Sequence, residues 1–211
     1  MIYNKNRMDN IVFNFIYGCA LHDAILQKSY NSTDKKWIRD VSCAQALVRN
    51  YIDCILRGDY KDQNAKGDHD KFFISTASAI CQVINGEEKN KGFKPIFSFG
   101  NAQKLINMTV KHVYAHTFSN PTLDRDCFRH CHCPMDSIML DKIWKKYKDT
   151  FKNTKALGKS DEFHEAWGTE GGIGPFTALP QRYTAFQKAI LDIIEVNNGN
   201  IFPIEYDYIF W

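Results

Sequence analysis

The segment Cys127-Phe128-Arg129-His130-Cys131-His132-Cys133 places five thiol or imidazole groups in seven consecutive residues. Zinc takes deprotonated sulfur or neutral imidazole at tetrahedral positions, and these side chains supply both. Neighbouring positions cannot all converge on one ion. The ligand set that fits is therefore Cys127, Cys131 and Cys133, with His132 able to stand in for one cysteine. His112 and His116 lie four residues apart, which on a helix puts both rings on one face and offers a completion of the site. The intervening Val113-Tyr114-Ala115 holds no glutamate, so the pair lacks the general base of a metallopeptidase helix. A bound zinc follows more directly from these residues than a hydrolytic one.

The same segment admits thiol chemistry. Cys133 stands just before Pro134, at the expected start of a helix whose exposed amides would favour a thiolate, with His132 or His116 as base. It also admits a plain structural role, since cysteine is among the most often buried residue types. His69, between Asp68 and Asp70, reads as a loop residue or part of a helix cap. The glycine-rich Gly168 to Gly174 lacks the Gly-Lys-Ser/Thr ending of a phosphate loop and reads as a simple loop.

Cations suggest a second chemistry. From Met135 to Ser160 there are seven lysines against three aspartates, with Trp144, Tyr147 and Phe151 interleaved. Positive groups meet phosphates and exposed aromatics stack on bases, so nucleic acid, a nucleotide or another phosphate-bearing ligand is the expected partner. Lys104, Lys111, Arg125, Arg129, Lys145 and Lys146 are the expected contacts. A net charge of +3, from 27 basic and 24 acidic residues, permits this reading without requiring it. Zinc binding, with or without hydrolysis, is the alternative function. A protein-interaction domain, docking a partner through its aromatic tail or basic helix, is a further one. Residue types alone assign no reaction.

These groups must be held by a scaffold, and the composition gives one. A chain of 211 residues with 44% hydrophobic and 14% aromatic content has enough apolar surface for a core. The spacing predicts a mainly α, compact multi-helical domain of about six helices spanning residues 1–211 without a cut, ending in an extended aromatic tail. The expected helices are Ile11 to Lys28, Lys35 to Arg57, Lys71 to Ile84 capped by Asp70, Gly100 to Thr117, Pro134 to Phe151, a short Asp161 to Trp167, and Gln181 to Val196. Ile201 to Trp211 is the tail. Asp59 to His69 reads as a surface loop by its polarity. The fourth of these helices is apolar around most of its circumference and belongs in the middle, its narrow polar strip marked by Lys104, Asn107 and Lys111. No leader-like or membrane-spanning run is apparent, and seven cysteines do not pair off, so reduced thiols in a cytoplasmic protein are expected.

Overall fold

The computed structural model describes residues 8–25, 37–59, 65–85, 97–135, 139, 178–197 and 199–210. Six α-helices run through them: α1 (Asn10–Ile25), α2 (Trp37–Arg57), α3 (Ala65–Asn85), α4 (Phe99–Thr117), α5 (Ala178–Val196) and α6 (Pro203–Phe210). A single 3-10 turn, Arg125–Phe128, follows α4. The expected helix Asp161 to Trp167 lies outside the described residues, as does most of Pro134 to Phe151; of the latter, Pro134 and Met135 are not helical, so Pro134 does not open the helix as expected, and Met139 is helical.

Local chemistry explains the helix ends. The Asp9 carboxylate accepts from the Ile11 amide at 2.7 Å and starts α1. Gly58, at φ 68°, takes the left-handed conformation that stops α2, its amide returning to the Ile55 carbonyl. Ser98 and Asn101 cap α4 reciprocally, and the Asn101 side chain reaches further to donate to the Ala24 carbonyl at 2.7 Å. One residue thus closes the start of α4 and the end of α1.

The apolar faces then select the packing. α4 lies against α1, α2, α3, α6 and the 3-10 turn. Its Leu105, Ile106, Val110 and Val113 are buried among Phe13, Tyr17, Ala20, Val48, Ile52, Phe73 and Ile80. The central position expected for this helix is therefore observed. Its strip is not a solvent face: Asn107 and Lys111 are buried, and Gln103 joins them one turn earlier. On α1, Phe15 points outward, while Phe13, Ile16 and Tyr17 take the inward positions.

Two boundaries differ from expectation in ways that matter. α3 begins at Ala65, so the polar run before Lys71 is helical and Asp70 sits inside the helix rather than capping it. The C-terminal segment is the helix α6 rather than the extended aromatic tail expected. Pro203 preorganises its first turn, and Glu205 accepts from the Phe202 amide at 2.7 Å, half of a capping box. Buried Ile204 and Tyr206 then dock it. No described helix is long and apolar enough to cross a membrane.

Polar contacts fix α6 on α4. The Lys111 ammonium meets the Asp207 carboxylate, with side chains only 11% and 3% exposed. The Tyr208 hydroxyl donates to the Lys111 carbonyl at 2.8 Å, and its ring lies under the Lys111 ammonium. Tyr114 donates to Glu205 one turn along. Removing one member of a buried charge pair leaves the other desolvated, whereas replacing both with apolar groups does not. Asp207→Ala is therefore expected to cost about 3–5 kcal/mol in urea denaturation, and Lys111→Met with Asp207→Leu to recover most of that loss.

Candidate metal centre

The 3-10 turn is followed by a non-helical run, Cys131 to Met135, in which every residue is buried. Buried backbone amides and carbonyls must find partners, and here helices supply them with side chains. The Gln187 carboxamide of α5 accepts from the Cys133 amide at 3.0 Å and donates to the Cys133 carbonyl at 2.8 Å. Gln103 of α4 treats Met135 the same way, accepting from its amide at 3.4 Å and donating to its carbonyl at 2.5 Å. Each glutamine imitates a paired strand for one residue. His132 is thereby held between α3, α4 and α5.

Its ring has two partners. Nε2 lies 2.8 Å from the Asp70 carboxylate of α3, and Nδ1 lies 2.9 Å from the Tyr183 hydroxyl of α5. A carboxylate only accepts, so Nε2 carries the proton. Tyr183 is placed in turn by Asn107, whose amide nitrogen donates to its oxygen at 2.8 Å and to the Gln103 carbonyl oxygen at 3.1 Å. Because Gln103 spends its own nitrogen on the Gly100 and Met135 carbonyls, the orientation of each amide in this line is determined. The line runs from backbone, through Gln103, Asn107 and Tyr183, to His132 and Asp70.

His69 completes the group. It precedes Asp70 on α3 and is fully buried, its Nδ1 3.9 Å from the Asp70 carboxylate and its Nε2 2.7 Å from the Tyr51 hydroxyl. The His69 and His132 rings meet edge to face at 4.8 Å, and Phe73 stacks on Tyr183 at 5.0 Å beneath them. One ligand atom from each of His69, Asp70 and His132 lies within 4.8 Å of the other two, a group that can hold a metal ion. Tetrahedral ligand atoms at metal distances of about 2.0–2.2 Å stand about 3.4 Å apart, between the 2.8 and 3.9 Å measured from Asp70.

Burial keeps the His69 imidazole neutral while the Asp70 carboxylate stays charged, protonation states that a metal requires. Burial pushes His69 down to about 4, overriding the opposing pull of Asp70. Burial would raise Asp70, but its two imidazole neighbours, first the His132 hydrogen bond and then His69, outweigh it and hold the carboxyl well below its usual range. Burial likewise lifts the Tyr183 hydroxyl, in spite of the Asn107 hydrogen bond that favours its anion.

Of the six residues expected to hold zinc, the fold places His132 in this group and adds His69 and Asp70, which the loop reading of His69 had passed over. Cys127, Cys131 and Cys133 are buried outside it, with the Cys127 thiol against the Leu56 carbonyl and the Cys133 thiol against the Pro134 carbonyl. Burial, followed by the nearby Cys127, pushes the Cys131 thiol well up, opposite to the activation that nucleophilic chemistry needs. His112 is half-buried with its pKa lowered by burial, and His116 lies beside the Ser119 hydroxyl at 3.4 Å. Of the expected phosphate contacts, Lys111 faces Asp207, Arg125 lies over the Phe118 ring at 4.9 Å, and Arg129 pairs with Asp126 at 3.3 Å. Lys104 is half-buried on α4, while Lys145 and Lys146 lie outside the described residues.

A pH dependence follows from His69. Unfolded, it titrates near 6.5; folded, near 4, so between these values the unfolded state binds more protons and stability falls as the pH falls. Its contribution is complete above about pH 6.5 and lost by about pH 4, a change of about 3 kcal/mol. Asp70, with its lowered value, withdraws its own contribution only below about pH 4. Urea denaturation of the metal-free protein across this range should show the slope, and His69→Gln should flatten it. Thiol labelling gives a separate check: exposed Cys43 should react in the native protein, and Cys131 only after unfolding.

Over 153 residues, 71% of its length, the chain is 26% identical to the salivary protein Tsal2A of Glossina morsitans morsitans, and it spans 35% of that protein. No family model and no solved structure matches the chain.

Proposed function

We propose that this protein binds a divalent transition metal, best fitted by zinc, through His69 Nδ1, the Asp70 carboxylate and His132 Nε2. The observation that carries this reading is the convergence of two buried imidazoles on one ionised carboxylate, each ring held from behind by a tyrosine hydroxyl. Metal-bound histidines are oriented by a hydrogen bond at their other nitrogen, and here both have one. Two imidazoles and a carboxylate suit zinc and its first-row neighbours, whereas calcium and magnesium prefer oxygen alone. Three protein ligands leave a fourth position for water or another ligand, the pattern of catalytic rather than closed structural zinc. Asp70 is the part of the group nearest solvent, its side chain 27% exposed against 5% for His132 and 0% for His69. Entry is therefore past Asp70.

Hydrolysis by a metal-bound water is the chemistry that such an open position supplies. The nucleic-acid or phosphate reading rests on the sequence, because Lys145 and Lys146 are outside the described residues and Lys111 is committed inward to Asp207. Titration of the reduced protein with zinc, using a chromophoric chelator as competitor, tests the metal reading. One equivalent is expected. Asp70→Asn and His132→Ala should each weaken binding by more than about 100-fold, since loss of a ligand costs more than loss of a ligand's support. Cys131→Ser should leave it unchanged. Binding that follows Cys131 and ignores Asp70 would refute the site.

A further inference from the structure

We infer that Tyr51 and Tyr183 are positioning residues that make this site reversible, allowing it to load and release its ion without unfolding; the inference rests on the metal reading above. Without an ion, the His132 proton sits on Nε2, directed at Asp70, and Nδ1 accepts from the Tyr183 hydroxyl. An ion at Nε2 displaces that proton. The ring stays neutral by carrying its proton on Nδ1 instead, and that N–H then donates to the Tyr183 oxygen. The number of protons on the imidazole is unchanged; the proton has moved from one ring nitrogen to the other, through exchange with water, and the hydroxyl hydrogen has rotated.

Only a group that both donates and accepts can serve both states. A backbone carbonyl or carboxylate behind the ring accepts only and would fix the metal-bound tautomer; an amide N–H or lysine donates only and would fix the metal-free one. A tyrosine hydroxyl does both. The Asn107 amide meets the Tyr183 oxygen at 2.8 Å, and the Gln187 side chain is a further hydrogen-bond partner of the same hydroxyl. His69 has the same kind of backing, its Nε2 2.7 Å from the Tyr51 hydroxyl, while its Nδ1 stands 3.9 Å from Asp70, beyond hydrogen-bond reach. Two histidines on different elements have the same kind of support. The aromatic bodies of both tyrosines are locked in the core, Tyr51 against Phe72 and Phe73 and Tyr183 against Phe73 and Phe99, so the hydroxyls can rotate while the rings stay in place. The site is thus built for an exchangeable ion.

Nitrogen-15 NMR of the imidazoles in the wild-type chain, before and after one equivalent of zinc, reads the tautomers directly. The expected result is a His132 proton on Nε2 without zinc and on Nδ1 with it, with the helical circular dichroism the same in both states. Tyr183→Phe and Tyr51→Phe should each weaken zinc binding by about 10–100-fold while the thermal transition stays cooperative. Zinc binding with His132 in one tautomer throughout, loss of the helical spectrum on zinc removal, or folded variants that bind zinc as the wild type does, would each overturn the inference and leave the metal site standing. Absence of zinc binding by the wild type would overturn both. Should the variants fail to fold, the wild-type spectra alone decide.

Discussion

A buried stretch of non-helical backbone, Cys131 to Met135, runs through a helical protein, and its peptide groups need partners that helices do not offer. Helices spend their own amides and carbonyls internally, so Cys133 and Met135 can be buried only because Gln187 and Gln103 present carboxamides in the right direction. Each unmet buried amide or carbonyl costs about 1–3 kcal/mol, so losing a clamp would cost more than one hydrogen bond. The clamp also explains why α4 and α5 carry glutamine at positions that would otherwise suit leucine. The two helices and the buried run become one unit.

Everything at the site is placed by that constraint. With Cys133 and Met135 fixed, His132 has its ring directed between α3 and α5, and Gln103 passes orientation to Asn107 and Tyr183. Polar networks in a low-dielectric interior are stable only when every member is satisfied, and this one ends in an ionised carboxylate at the solvent edge. Asp70 is thus both the terminus of the network and its only strong charge. The fold accommodates the charge by placing two imidazoles on it, which is also what makes the group suited to a cation.

Much of the scaffold was legible in the sequence, because helix signals are local. The expected ranges Lys35 to Arg57 and Gly100 to Thr117 match α2 and α4 to within two residues. α6 was missed, although Pro203 followed two residues later by Glu205 is a helix-start pattern; the segment read as an extended aromatic tail instead. The site was legible in part. His132 was singled out by its company of cysteines, yet its partners come from 62 and 51 residues away in sequence, and no local pattern announces such pairing. His69 and Asp70 were hidden by the polar run around them, which disguised a helical turn as a loop. One signal was readable: Gln103, Asn107 and Lys111 recur every four residues on a helix otherwise too apolar to face water, and polar residues there must serve an internal network.

The metal site is the claim on which the account turns, and anomalous diffraction from crystals grown with equimolar zinc tests it without relying on affinity. Data collected on either side of the zinc absorption edge should give one peak, about 2.0–2.2 Å from His69 Nδ1, an Asp70 oxygen and His132 Nε2. A zinc peak among Cys127, Cys131 and Cys133, or none between the two histidines, would contradict it.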